Sequence, residues 1–332
     1  MKSLVEFERL SVSFGGNGLP VRAVSEVSLH IAPGQIVGVV GESGCGKSVT
    51  ALSLMGLLPR PAAQVDSGAI RFDGADVLTL SPRQLTDLRG KDFAMIFQEP
   101  MSALNPVLTI GEQLMEPLIR HLADTPHQAW RRAVASLAEV GLGRGESLMK
   151  SYPHQLSGGM LQRVMIAMAI GCQPRLLIAD EPTTALDVTV QAQILALLRD
   201  QSQRHAMAIM LITHDLGVVA HMAQQVVVMY AGRVVEQGAT QQLLHHPRHP
   251  YTQGLIASRP VAGQRRHRLH SIPGQVPDLA ALPPGCAFAP RCERATEHCR
   301  REIPPLLAQQ GRQVACFHPL SATHQPDVAH HE

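Results

Sequence analysis

The sequence is poor in aromatic residues and contains no long apolar run. Its 332 residues include one Trp, three Tyr and seven Phe, so the core must be built mainly from aliphatic side chains. A membrane-spanning helix needs about 18 or more consecutive apolar residues, whereas apolar stretches such as residues 160–170 are short and interrupted. The N-terminal segment also lacks the apolar block of a signal peptide. We therefore expect a cytoplasmic protein that reaches a membrane only through a partner.

The sequence also has little excess charge of either sign. Its formal net charge is +2, from 29 Lys and Arg against 27 Asp and Glu, which is too small to indicate nucleic acid as a default partner. Hydrophobic residues make up 45% and charged residues 17%. This balance is typical of a globular chain rather than a disordered one.

The spacing of apolar residues predicts an α/β fold followed by an extension. Strands are predicted at residues 4–12, 28–31, 36–40, 176–179 and 208–212, and helices at residues 49–58, 130–140 and 190–198. Residues 207–229 and 232–237 are predicted to form a final strand, helix, strand and hairpin. The middle of the chain, from about residue 98 to 172, has helical spacing with few strand signals. After about Pro247 the periodicity is lost, which places a domain boundary near residues 250–270. No useful internal repeat occurs, so we expect one main domain rather than a tandem pair.

A glycine-rich loop follows the strand at residues 36–40 and precedes a helix. Residues 41–48 read GESGCGKS and fit the pattern G-x-x-x-x-G-K-[ST] in its required context. In such a loop, backbone N–H groups and a helix N-terminus converge on phosphate oxygens. Lys47 is expected to reach the β and γ phosphates and Ser48 to hold Mg²⁺. Cys45 is interpreted as a small filler. The predicted contacts come from Gly41, Ser43, Gly44, Cys45, Gly46, Lys47, Ser48 and Val49.

Two carboxylates follow the apolar strand at residues 176–179. Asp180 and Glu181 would stand at its carboxyl end, where open parallel sheets bind ligands. Asp180 is expected to support Mg²⁺, directly or through water. Glu181 is placed to polarise the attacking water as a general base. An acidic pair alone is a weak signal, but the preceding phosphate loop strengthens it.

Further motifs resemble those of the ABC ATPase family. Ser157-Gly158-Gly159 lies within a segment similar to the ABC signature, with Met160 where glutamine is more usual, and residues 184–187, ending at Asp187, are similar to the D-loop. His214 resembles the switch histidine and Gln98 the Q-loop glutamine, a further Mg²⁺ ligand. The resemblance implies an α/β P-loop NTPase core with a mixed sheet, an N-terminal antiparallel β part, an inserted helical subdomain and a small Cys-containing C-terminal extension. The implied domains are residues 1–250, with helices at about 98–172, and residues 251–332.

The same resemblance implies that two such chains hold two ATP molecules between them. Ser157, Gly158, Gly159 and Asp187 would contact the ATP that the opposite ATPase subunit holds, and His214 would sense its γ phosphate. That second subunit is either identical or related. Phe14 is interpreted as a platform for adenine, with a core aromatic as the alternative reading.

Two segments are similar to the dipeptide/oligopeptide importer branch. They are the Q-loop region at residues 98–106 and the extension at residues 249–255 and 272–277. This likeness implies a peripheral energy module on the cytoplasmic face of the inner membrane, bound to two integral membrane permeases. An extracytoplasmic solute-binding protein would deliver the solute to these permeases. Nickel, glutathione or another small solute is the alternative to peptides.

Four of the six cysteines lie close together near the end of the chain. Cys286, Cys292, Cys299 and Cys316 show no C-x-x-C pair, so they match a zinc ribbon poorly. In a reducing cytoplasm such a group indicates a metal rather than disulfides. Similar importer subunits carry this arrangement as a [4Fe–4S] site, with zinc and free thiols as alternatives. His318 is either a further ligand or a solvated residue, and the basic run at residues 265–268 is either a lipid contact or a solvated linker.

Two other functions are alternatives to a transport ATPase. A soluble ABC ATPase acting on nucleic acid or ribosomes would need tandem cassettes or a coiled-coil insertion with a basic face, and the sequence shows neither. An iron–sulfur sensor with a vestigial ATPase would not need Lys47, Glu181 and His214, which are all present.

Overall fold

A computed structural model describes residues 3–15, 20–183, 186–258 and 271–321 of the chain. The basic run at residues 265–268 and parts of the loop at 15–18 and of the D-loop lie outside these residues. The described strands are β1 (Val5–Phe14), β2 (Val21–Ile31), β3 (Ile36–Val40), β4 (Ala63–Phe72), β5 (Ala75–Asp76), β6 (Phe93–Ile96), β7 (Leu176–Asp180), β8 (Ala208–Thr213), β9 (Gln225–Tyr230), β10 (Arg233–Ala239), β11 (Leu307–Gln309) and β12 (Arg312–Val314).

Twelve helices lie within the described residues. They are α1 (Lys47–Met55), α2 (Pro82–Leu88), α3 (Pro100–Ala103), α4 (Ile110–Leu122), α5 (Pro126–Glu139), α6 (Gly145–Leu148), α7 (Gly158–Ile170), α8 (Val188–His205), α9 (Leu216–Met222), α10 (Thr240–His245), α11 (Pro250–Ala257) and α12 (Glu297–Arg301). Short 3₁₀ turns lie at Val77–Thr79, Pro153–Gln155, Leu279–Ala281 and Ala289–Arg291. Within the described ranges, no helix is both long and apolar enough to cross a bilayer.

The chain divides into two compact units, each made of several segments. The first unit comprises Met1–Leu4, Ile31–Ile36 and Asp76–Ile212. The second unit comprises Val5–His30, Val37–Ala75 and Thr213–Glu332.

The first unit contains parallel strands and a run of helices. β7 pairs in parallel with β6 and with β8, and all of its residues are buried. Residues 98–172, all of them described, form helices and turns without a strand. Thr109 and Thr125 start α4 and α5 with capping boxes, in which the threonine side chain accepts an N–H bond three residues on. These caps explain why helices begin at these points of the helical stretch that the sequence predicts.

The second unit contains an antiparallel sheet and a mixed sheet. The antiparallel sheet has the strand order β2-β1-β4-β5. In the mixed sheet, β3 pairs in parallel with β9, β9 forms an antiparallel hairpin with β10, β10 pairs with β12, and β12 pairs with β11. Three aromatic side chains meet in this unit, where Tyr230 packs 4.6 Å from Tyr251 and 5.2 Å from Phe288 between ring centroids. A compact aromatic cluster thus supports the C-terminal part of the chain.

The structure adds elements that sequence reasoning missed. β4 carries Asp66, Ser67 and Gly68, which hide its alternation, yet it pairs with β1 from Val5 to Phe14. β6 has only four residues, all buried, and so gives too short a pattern to recognise. The helix expected at residues 49–58 spans Lys47–Met55 instead, because Gly56 adopts a left-handed conformation with φ of 61° and ends it.

Candidate functional site

The glycine-rich loop adopts a conformation that only glycine permits at two positions. Gly46 has a φ of 98°, and a Cβ there would lie 2.6 Å from the carbonyl oxygen of Ala23. At Gly41 an added Cβ would lie 2.7 Å from the sulfur of Cys45. The two glycines therefore let the backbone turn from β3 into α1 at close range.

Lys47, the first residue of α1, has its ammonium group folded against this loop. Its Nζ donates hydrogen bonds to the carbonyl oxygens of Gly41 at 2.8 Å and Glu42 at 3.0 Å, and the residue is only 6% exposed. Cys45 is buried beside it, and burial raises the pKa of the Cys45 thiol, so this side chain is a neutral filler. Ser43 is exposed and Ser48 half-buried. The loop therefore carries a fixed positive charge and helix N–H groups, the elements that bind phosphate.

Glu42 is the loop residue that sequence reasoning overlooked. Its carboxylate accepts two hydrogen bonds from Arg291, at 2.7 and 3.1 Å, and its backbone N–H donates to the hydroxyl of Tyr251 at 2.9 Å. Both partners lie in the C-terminal part of the second unit. Their positions gave no signal by themselves, although Tyr251 stands in the importer-like segment and Arg291 precedes Cys292.

The first unit holds the predicted acidic pair with the Q-loop glutamine. Asp180 is the last residue of β7 and is 5% exposed. Glu181 follows with a left-handed φ of 48°, and its N–H donates to the carbonyl of Ile212 at 2.9 Å. Gln98 donates from Nε2 to a Glu181 carboxylate oxygen at 3.3 Å. Strained backbone at a polar residue is common in active sites, so the geometry supports a reactive role for Glu181.

The signature and D-loop residues meet at a second place on the first unit. Ser157 directly precedes α7, and Gly158 and Gly159 form its first turn. Asp187 caps α8 by accepting the N–H of Val190 at 2.9 Å. Ser157, Gly159 and Asp187 line one surface cavity of about 310 Å³. The structure thus brings these motifs together at a helix N-terminus, which suits an anion.

Two further predicted residues lie in the second unit. His214 is exposed and follows β8, and the neighbouring Asp215 caps α9 by accepting the N–H of Gly217 at 2.6 Å. Phe14 ends β1 and is half-buried, so it is neither a core aromatic nor fully exposed.

The four clustered cysteines line a single small cavity. Cys286, Cys292, Cys299 and Cys316 are all free thiols around a space of about 20 Å³. Burial raises the pKa of Cys286 and Cys292, and that of Cys316 to about 11. Across the ranges that the structure describes, no group of three or more Cys, His, Asp or Glu side chains has the geometry of a metal site. His318 also borders the cavity and is half-buried within 3.0 Å of the Thr296 hydroxyl, so it is not a freely solvated residue.

These features, with the parallel strands that carry them, define a P-loop ATPase of the ABC type. A family model described as "ABC transporter" matches residues 24–184, and one described as "Oligopeptide/dipeptide transporter, C-terminal region" matches residues 235–299. Among solved structures, the ATP-binding cassette MJ0796, a dimer bound to ADP and Pi, has a TM-score of 0.65 and 27% identity, covering 71% of this chain and 98% of that one.

Relatives at higher identity match almost the whole chain. The oligopeptide transport ATP-binding protein AppD of Bacillus subtilis is 49% identical over 318 residues, covering 96% of this chain and 97% of its own. The dipeptide transport ATP-binding protein DppD of Escherichia coli is 48% identical over 327 residues, covering 98% and 100%. The chain therefore belongs to the ABC transporter family, among the oligopeptide/dipeptide transport ATP-binding proteins.

Proposed function

We propose that this chain is the ATP-hydrolysing subunit that energises a membrane importer of dipeptides and oligopeptides. The observation that carries the proposal is the loop at residues 41–48, whose buried Lys47 is fixed on the carbonyls of Gly41 and Glu42. The relatives named above carry the extension as well as the cassette, and their names favour peptides over nickel or glutathione.

The residue roles follow from the chemistry of each side chain. Lys47 binds the β and γ phosphates, and Ser48, Gln98 and Asp180 hold Mg²⁺. Glu181 takes the proton of the attacking water, and His214 contacts the γ phosphate. The rest of the proposed nucleotide contacts, including those to the ATP of a second subunit, are Phe14, Gly41, Ser43, Gly44, Cys45, Gly46, Val49, Ser157, Gly158, Gly159 and Asp187.

The proposed assembly is a peripheral complex on the cytoplasmic face of the inner membrane. It pairs this chain with a second ATPase subunit and two permeases, supplied by an extracytoplasmic binding protein. Within the chain, residues 1–250 form the nucleotide-binding domain, with its helical subdomain at about 98–172, and residues 251–332 form the extension.

Peptide uptake by cells tests this function. Cells whose only copy carries Glu181→Gln are expected to stop depleting dipeptides from the medium, because ATP binds without productive hydrolysis. Glu146→Gln, an exposed carboxyl on α6, is the matched control and should leave uptake intact. Unchanged dipeptide depletion by the Glu181→Gln cells, with no second peptide importer active, would contradict the peptide assignment. Nickel and glutathione uptake would then be compared in the same strains.

We also propose that the four cysteines hold a [4Fe–4S] cluster, with zinc as the alternative. Four thiols around one cavity supply the donor set of such a cluster. Their raised pKa values mean that metal binding must displace protons. Bound, the cluster would tie together a segment with little apolar core.

Metal analysis of protein purified without oxygen tests the cluster. The wild-type chain should contain iron and show visible charge-transfer absorption, and Cys316→Ser should lose both. Cys172→Ser, which changes an isolated buried cysteine, should retain them. Zinc without iron would support the alternative, and absence of both metals would leave free thiols.

A further inference from the structure

Glu42 is an unexpected residue for a loop that binds phosphate. It directly follows Gly41, and its side chain is 30% exposed. A carboxylate beside a polyanionic ligand raises the free energy of binding through like-charge repulsion, unless a cation compensates it. The loop therefore needs a means of neutralising this group and of holding it in place.

Arg291 supplies that compensation with fork-to-fork geometry. Its two terminal nitrogens donate to the two carboxylate oxygens of Glu42 at 2.7 and 3.1 Å. The same guanidinium donates to the carbonyl oxygens of Pro273 at 2.9 Å and Ile272 at 3.4 Å and to the hydroxyl of Tyr230 at 3.3 Å. The Arg291 side chain is 4% exposed. It is thus a fixed, shielded cation rather than a surface partner.

Tyr251 holds the backbone of the same loop residue. Its hydroxyl oxygen accepts the N–H of Glu42 at 2.9 Å, and the residue is fully buried. Its ring packs 4.6 Å from Tyr230 and 5.4 Å from Phe288 between centroids. Burial raises the pKa of Tyr251, so the hydroxyl stays neutral. Glu42 is consequently held at both its side chain and its main chain by the C-terminal part of the second unit.

Arg291 itself is placed by the cysteine-bearing segment. It ends the 3₁₀ turn Ala289–Arg291, which lies between Cys286 and Cys292. The N–H of Cys286 donates to the carbonyl of Cys299 at 2.8 Å, and the N–H of Cys292 donates to that of Ala289 at 3.3 Å. The conformation of this segment therefore sets where the guanidinium stands.

We propose that Arg291 is a positioning residue for the phosphate-binding loop, acting through Glu42, so that nucleotide affinity depends on the C-terminal extension. Arg291 neutralises the carboxylate and holds it away from the incoming phosphates. This inference rests on the proposed nucleotide site, and it adds a residue separated from the loop by 249 positions.

A double-mutant cycle on the full-length chain tests the inference. Trinitrophenyl-ATP binding is titrated for the wild type, Arg291→Met, Glu42→Gln and the double variant. Arg291→Met should raise the Kd about tenfold, the effect of one uncompensated charge near a protein surface. In the Glu42→Gln background the same change should raise the Kd less than about threefold, because no carboxylate remains to be neutralised. In steady-state assays Arg291→Met should raise the KM for ATP with little change in kcat.

The control removes an arginine from an exposed ion pair of the same segment. Arg301→Met breaks the contact of Arg301 with Glu297, whose side chains are 74% and 67% exposed, and should leave the Kd unchanged. An equal loss of affinity on replacing Arg291 in both backgrounds would overturn the proposal, as would no loss in either. If Arg291→Met does not fold, the Kd of the double variant is compared with that of Glu42→Gln. A double variant that binds the probe about tenfold more weakly than Glu42→Gln would refute a role of Arg291 through Glu42. A wild-type chain that fails to bind the probe would instead refute the nucleotide site.

Discussion

His249 is expected to make the second unit sensitive to acid. The residue is 2% exposed and precedes α11, where its Nδ1 accepts the backbone N–H of Tyr251 at 3.0 Å. A ring nitrogen that accepts a hydrogen bond is unprotonated, and burial lowers the pKa of His249 from 6.5 to about 3. Because Tyr251 also binds Glu42, loss of this cap would extend to the phosphate loop.

The size of the effect follows from the difference between the folded and unfolded pKa values. The unfolded chain binds the proton first, so the contribution of His249 to stability is complete above pH 6.5 and falls as the pH drops toward 3. One pKa unit corresponds to about 1.4 kcal/mol, so acidification from pH 6.5 to about 5 should cost about 2 kcal/mol. This figure holds for any folded pKa well below 5, and so it does not depend on the exact depression.

Glu236 contributes a pH dependence of the opposite sign. Its carboxylate accepts the backbone N–H groups of Arg248 and His249, both at 2.9 Å, and burial raises its pKa. Glu236 therefore binds a proton more tightly in the folded protein than in the unfolded chain. Its contribution to stability increases as the pH falls through the raised pKa. The pH dependence of the free energy of unfolding of the wild type combines both effects. The difference in this free energy between the wild type and a His249 variant isolates the contribution of the histidine.

Urea unfolding at about pH 7.5 and about pH 5 provides the assay. His249→Asn keeps an oxygen that can cap α11 but does not titrate, so its free energy of unfolding should fall by about 2 kcal/mol less than that of the wild type. The exposed His127→Asn is the matched control and should behave as the wild type does. The cavity left by asparagine lowers stability at both pH values and does not affect this comparison. Equal acid losses in wild type and His249→Asn would refute the reasoning.

Three further changes test the phosphate loop and the proposed role of Glu181. Glu181→Gln should lower steady-state ATP hydrolysis about 10²–10⁴-fold while trinitrophenyl-ATP still binds, because an amide cannot take the proton; undiminished hydrolysis would exclude Glu181 as the base. Gly46→Ala should weaken nucleotide binding and lower the melting temperature by the equivalent of about 1–3 kcal/mol, since its φ is positive and Ala23 leaves no room for a Cβ. An unchanged melting temperature would contradict that strain. Tyr251→Phe removes the acceptor of the Glu42 N–H and should cost about 1–3 kcal/mol in urea unfolding; a neutral result would show that water replaces the hydroxyl.

The sequence could predict those parts of the fold and of the candidate site that contiguous residues form. The loop at residues 41–48 and the pair Asp180 and Glu181 depend on near neighbours along the chain: glycines that permit positive φ and a strand that ends where the carboxylates begin. β3 lies at the predicted residues, and β7 and β8 each extend one residue further, because short buried runs of branched residues are strong strand signals. The family followed from several such motifs in a fixed order, and the comparisons confirm it.

Long-range pairing was decided only by the tertiary structure. β12 adds to the edge of β10, although the sequence after Pro247 shows no periodicity, because two short strands gain stability from an existing sheet rather than from their own pattern. The contacts of Glu42 with Arg291 and Tyr251 join positions 249 and 209 residues apart. No spacing rule relates such residues, since an ion pair needs proximity, and proximity over this separation is a property of the folded chain.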